Sequence, residues 1–108
     1  MPFDPELVER MRGALEGCEG VVERRMFGGY CWMLHGNMLC GVEVGRFMFR
    51  VGKQLEPEAL SRPGASPMDI TGKPMTGFVW VRATETSGDR LGDWVELAAS
   101  FVKTLPRK

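Results

Sequence analysis

The chain has a single histidine, His35, and only three cysteines, Cys18, Cys31 and Cys40. One histidine cannot build a multi-histidine metal site. Three thiols at wide spacing form neither a disulfide framework nor paired Cys-x-x-Cys zinc knuckles, so reduced cysteines are expected and no cofactor or metal is implied. Net charge is missing too. Fourteen Lys and Arg balance fourteen Asp and Glu, which removes the long-range positive field that draws proteins onto phosphate backbones and leaves nucleic acid weakly supported as a partner. No window approaches the roughly 18 apolar residues that a membrane-crossing helix needs. The start, Met1-Pro2-Phe3-Asp4-Pro5-Glu6, has neither a basic opening nor an apolar run, so no membrane partner is expected and the expected location is cytoplasmic.

What is present is the composition of an ordinary globular chain, 44% hydrophobic and 26% charged over 108 residues, enough for one core without staples. No repeat or low-complexity segment divides it, and residues 1–108 read as a single domain. Asp4-Pro5-Glu6 predicts a helix start: an Asp cap, a Pro tolerated in the first turn and an early Glu. Leu7, Val8, Met11, Ala14, Leu15 and Cys18 recur at helical spacing, with Gly17 or Gly20 as the stop.

From Val21 to Val51 the period changes to two, and Gly28-Gly29, His35-Gly36 and Gly45-Arg46 cut the segment into four hairpin strands. Residues 53–60 allow a short helix interrupted by Pro57, and 61–67 read as a loop. Gly72-Lys73-Pro74 reads as a turn before a strand over Gly77–Arg82. Leu91, Trp94, Val95, Ala98, Phe101, Val102 and Leu105 form the clearest helical stripe, with Ser87 or Asp89 as its cap.

Turn geometry predicts the register. Leu34 opposite Asn37 places Met33 with Met38 and Cys31 with Cys40; Val44 opposite Phe47 places Val42 with Phe49. One face then collects Met26, Cys31, Met33, Met38, Cys40, Val42, Val44, Phe47, Phe49 and Val51, and is the expected core. The other collects Arg25, Tyr30, Trp32, Leu34, Asn37, Leu39, Glu43, Met48 and Arg50. The fold class expected is α+β in two layers, a five- or six-stranded antiparallel sheet with the N- and C-terminal helices on the Met33/Cys40/Phe49 face.

Arg25-Met26-Phe27-Gly28-Gly29-Tyr30, followed by a strand, a Gly turn, a second strand and Phe47-Met48-Phe49-Arg50-Val51, resembles the N-terminal domain of the TfoX/Sxy family, whose signature is a Met-Phe-Gly-Gly turn opening such a meander. The similarity extends to the Gly77-Phe78 strand and the Trp94 helix. It implies a two-layer α+β sandwich similar to secretion chaperones, with no enzymatic residues to carry over. Fuller members regulate natural competence, acting with a cyclic-AMP receptor protein at promoters, and have a separate C-terminal domain that these 108 residues do not include.

Each motif has a plainer alternative. Gly28-Gly29 could nest an anion, but no Lys-Ser/Thr follows to complete a P-loop, and a tight hairpin turn is preferred. Cys31 and Cys40, as cross-strand neighbours, could form a redox pair or, with Met33 and Met38, a soft-metal site; plain core filler is preferred. Glu56 and Glu58, or Asp89 and Asp93, suit loop and cap roles rather than acid/base work. Arg25, Arg46 and Arg50 with Trp32 could hold single-stranded nucleic acid, though interleaved Glu23 and Glu43 favour a mixed-charge surface. The surface with most promise is Arg25, Tyr30, Trp32, Leu34, Leu39, Met48 and Arg50, whose residue types are those of protein interfaces. The expected role is therefore a non-enzymatic interaction module for a protein partner or a second copy.

Overall fold

A computed structural model describes residues 4–26, 29–70 and 73–107. Helix α1 (Pro5–Ala14) is followed by strands β1 (Val21–Met26), β2 (Gly29–Leu34), β3 (Asn37–Glu43) and β4 (Arg46–Arg50). Helix α2 (Gly52–Leu60), strands β5 (Ala65–Ile70) and β6 (Lys73–Arg82), a short 3-10 turn and helix α3 (Arg90–Val102) complete the chain. The strands form one antiparallel sheet in the order β1-β2-β3-β4-β6-β5. All three helices contribute to the core on one side of it: Leu7, Val8 and Met11 from α1, Ala59 from α2, and Leu91, Trp94, Val95, Ala98 and Val102 from α3. The α+β two-layer reading stands, with a third helix in the helical layer.

α1 starts where expected, with the Asp4 carboxylate accepting from the Glu6 amide at 3.0 Å. It ends at Ala14, a turn before the glycines expected to stop it. The His35-Gly36 turn is as read: φ of 53° and 84° at its two residues is the type I′ geometry that matches strand twist. The Gly28-Gly29 turn lies outside the described residues at Gly28.

Beyond that turn the register departs from expectation. Leu34 pairs with Asn37 and Met33 with Met38, but Trp32 pairs with Cys40 and Cys31 with Gly41. Leu39 is an extra residue in β3, a β-bulge, and both Leu39 and Cys40 are fully buried on the helix side. Since the side-chain period of a strand is two, one inserted residue exchanges the faces of everything paired beyond it. Tyr30, Trp32 and Leu34 therefore point toward the helices, and Cys31 and Met33 point away.

The next turn is Val44-Gly45 rather than Gly45-Arg46, pairing Glu43 with Arg46, Val42 with Phe47 and Cys40 with Phe49. That shift preserves parity. Phe47, Phe49 and Val51 stay in the core, and only Val44 is corrected, standing 59% exposed at the corner. Phe49 stacks on Trp94 of α3 at 5.4 Å, and the Cys40 thiol lies 3.7 Å from Met11 Sδ.

Two further corrections concern 61–82. Residues 65–67, the end of the 61–67 stretch read as loop, belong to edge strand β5, which runs on to Ile70; an edge can accommodate Pro67 with its missing donor facing away from β6. β6 begins at Lys73 and so includes Pro74, bending at Gly77, whose φ is 88°. Gly77 meets Gly52 backbone to backbone, its carbonyl accepting from the Val51 amide at 2.8 Å and its own amide donating to Glu56 at 2.6 Å.

Candidate functional site

The helices leave the other side of the sheet uncovered. One row of cross-strand partners crosses all six strands on that side: Arg24, Cys31, Gly41, Met48, Trp80 and Ser66. A second row holds Val22, Met33 and Met38. Gly41 is the low point, and a Cβ there would meet Met48 Cε at 3.4 Å and Cys31 Cβ at 3.7 Å. Without that Cβ, the Met48 side chain settles over β3 beside Cys31, and both are buried although no helix covers them. Met33, Met38, Phe78 and Trp80 around them are half-buried, and Val22 is 56% exposed.

Four arginines rim this apolar centre: Arg24 on β1, Arg46 and Arg50 on β4, and Arg82 on β6. Arg46 stacks over the Trp80 ring at 3.7 Å and Arg50 lies 5.5 Å from Phe78, contacts that fix a guanidinium plane without consuming its charge. Arg46 and Arg82 are direct cross-strand partners, a like-charge juxtaposition that destabilises a sheet. Among the described side chains of these strands, Glu43 offsets them, accepting from Arg46 Nε at 2.6 Å.

The residues expected to form a docking surface are thus divided. Met48 and Arg50 lie on the open face. Trp32, Leu34 and Leu39 are corrected to the core, at 2%, 0% and 0% exposure, because the Leu39 bulge inverts β2. Asn37, also expected outward, is buried and donates to the Pro106 carbonyl at 2.9 Å. Tyr30 and Arg25 remain together but under α1, where Arg25 and Arg12 each lie 5.8 Å from the Tyr30 ring. Arg12 also bridges Glu9 and, at 2.7 Å, Glu23, which holds the Glu23 carboxyl below the usual range. Sequence reasoning missed Met33, Met38, Phe78, Trp80 and Arg82 as surface residues. The alternation of Phe78, Trp80 and Arg82 against Val79 and Val81 was a usable signal for β6; no comparable signal marked the bulge.

The thiol reading is also resolved by the register. Cys31 and Cys40 emerge on opposite faces and do not pair, and no group of three His, Cys, Asp or Glu able to hold a metal occurs among the described residues. Burial pushes the Cys40 thiol well above the usual range, and Cys31 is raised for the same reason, partly offset by Arg24. The thiolate is the nucleophile, so iodoacetamide should modify half-buried Cys18 first, Cys31 slowly and Cys40 only on global unfolding, read by mass spectrometry of the labelled peptides. Early labelling of Cys40 would contradict this packing. A shallow groove between α1 and α3, of about 670 Å³, is lined by Gly13, Gly92, Asp93 and Glu96 among others, and no buried side-chain polar atom among the described residues lacks a partner there.

No described helix is long and apolar enough to cross a membrane. Searches of curated proteins and of solved structures give no significant match. The profile of the TfoX N-terminal domain, in contrast, matches residues 13–102, from the last two residues of α1 through the end of α3. The chain belongs to the TfoX N-terminal domain family.

Proposed function

We propose that the protein is a non-enzymatic interaction module whose working surface is the uncovered face of the sheet. The observation that carries this reading is the helix-free face of the sheet, where half-buried Met33, Met38, Phe78 and Trp80 lie around buried Met48 and Cys31 with arginines at the rim. Met, Trp, Phe and Arg are the residue types enriched where proteins meet. The family resemblance adds an accessory role in transcription or competence regulation, in which a binding surface rather than a reaction centre is needed.

A photoreactive benzoyl-phenylalanine placed at position 38 or 22, on the open face, should yield protein adducts on irradiation in cells. The same group at position 96, on α3, should not. An adduct of twice the chain mass identifies self-association; any other mass identifies a different protein. Adducts from position 96 alone, or from none of the three, would sink this reading.

A further inference from the structure

The partner class can be narrowed from the charge on the open face, given the interaction reading above. The chain is neutral, yet its strands hold six of the fourteen basic residues and three of the fourteen acidic ones. Glu23 and Arg25 turn toward the helices. Lys73 and Asp69 cancel in charge at the far ends of β6 and β5, and among the strand residues whose side chains are described the open face holds Arg24, Arg46, Arg50 and Arg82 against Glu43. A like-charge cross-strand pair such as Arg46 and Arg82 is a standing cost to the sheet, and an anionic group set between the two would remove it.

We propose that this face binds an acidic, amphipathic protein segment, its apolar stripe on Met33 and Met38 over the buried Met48 and its carboxylates on Arg46, Arg50 and Arg82. Methionine suits the first role because its unbranched, polarisable side chain adapts to varied apolar shapes. Arginine suits the second because its planar fork takes a carboxylate bidentately, and Glu43 engages only the Nε of Arg46.

Two other occupants fit less well. A second copy would bring the same excess of arginine to the interface, with Glu43 already bound to Arg46, so like charges would outnumber opposite ones across it, which is unfavourable. Single-stranded nucleic acid would use exposed aromatic rings as stacking platforms, but Trp80 and Phe78 are already overlain by Arg46 and Arg50. The methionines between them offer no stacking plane.

The test uses three probes on the full chain: a synthetic helix of about five turns with leucines along one stripe and glutamates elsewhere, the same peptide with lysine for glutamate, and oligothymidylate. Methionine methyl NMR reports the site, since Met33, Met38 and Met48 are on the open face while Met11 is in the core. The glutamate peptide should shift the first three and not Met11. Arg46→Glu and Arg82→Glu, both at positions outside the core, should each weaken it about tenfold, and the lysine peptide should not bind. Equal binding of the two peptides, no shift with the glutamate peptide, or saturation by oligothymidylate in its place would overturn the proposal. If the glutamate peptide fails while open-face adducts still form in cells, the acidic partner is excluded and the interaction reading stands; absence of adducts removes both.

Discussion

Trp32→Ser should unfold the protein at temperatures where the parent is stable, rather than merely weaken a contact with a partner. Trp32 is 2% exposed, stacks on Tyr30 at 6.4 Å and stands directly across from Cys40, beneath the helix that supplies Met11. Truncating a buried tryptophan costs about 3–5 kcal/mol, and a serine hydroxyl left in the cavity adds a polar group with no designed partner. Against a total stability of order 5–15 kcal/mol, the loss lowers Tm by roughly 15 °C or more for a domain of this size. Thermal unfolding followed by circular dichroism measures it. A variant that melts within a few degrees of the parent would show that Trp32 is not in the core, and the bulge at Leu39 with it.

Gly52→Ala is the second large effect, and its origin is backbone rather than core volume. Gly52 has φ of 84° where α2 leaves β4, and a Cβ there would run into the Phe101 ring of α3. A non-glycine residue in that region costs on the order of 1 kcal/mol for its conformation alone, and the collision with a packed ring adds about 1–3 kcal/mol. Gly45 separates the two contributions, because its φ is 74° but a Cβ there meets nothing within 4 Å. Denaturant unfolding should therefore give Gly45→Ala a loss near the conformational part only, and Gly52→Ala about two to three times as much. Combining Gly52→Ala with Phe101→Ala should cost less than the sum of the single losses. Equal losses for Gly45→Ala and Gly52→Ala would show that α3 yields to the added methyl.

The sequence conveyed local events well and one non-local event not at all. The Asp4 cap, the α3 stripe and the His35-Gly36 turn depend on neighbours a few residues apart, and each is found where chemistry placed it. The core positions Phe47, Phe49 and Val51 were also legible, since the misplaced turn at Val44-Gly45 moved the pairing by an even step. The bulge is different in kind. Leu39 and Cys40 are both apolar, so a strand reading Met38-Leu39-Cys40-Gly41-Val42 has no polar residue to betray which of them breaks the alternation. Strand β5 was hidden for another reason: Pro67 argues against any strand that must donate on both sides, and only the sheet order reveals that β5 needs to bond on one. The candidate site inherited the bulge error directly, keeping Met48 and Arg50 and exchanging Trp32 for Trp80.

The two outer strands of the sheet differ from its face in what they permit. β1 presents Glu23, Arg24 and Arg25 in succession, and β5 has Pro67 and an irregular register. Charge and proline at a rim are the devices that stop one sheet from extending into the next. Copies of this chain are thereby discouraged from polymerising edge to edge into fibrils, and a concentrated solution should keep its open faces available instead of consuming them in end-on growth.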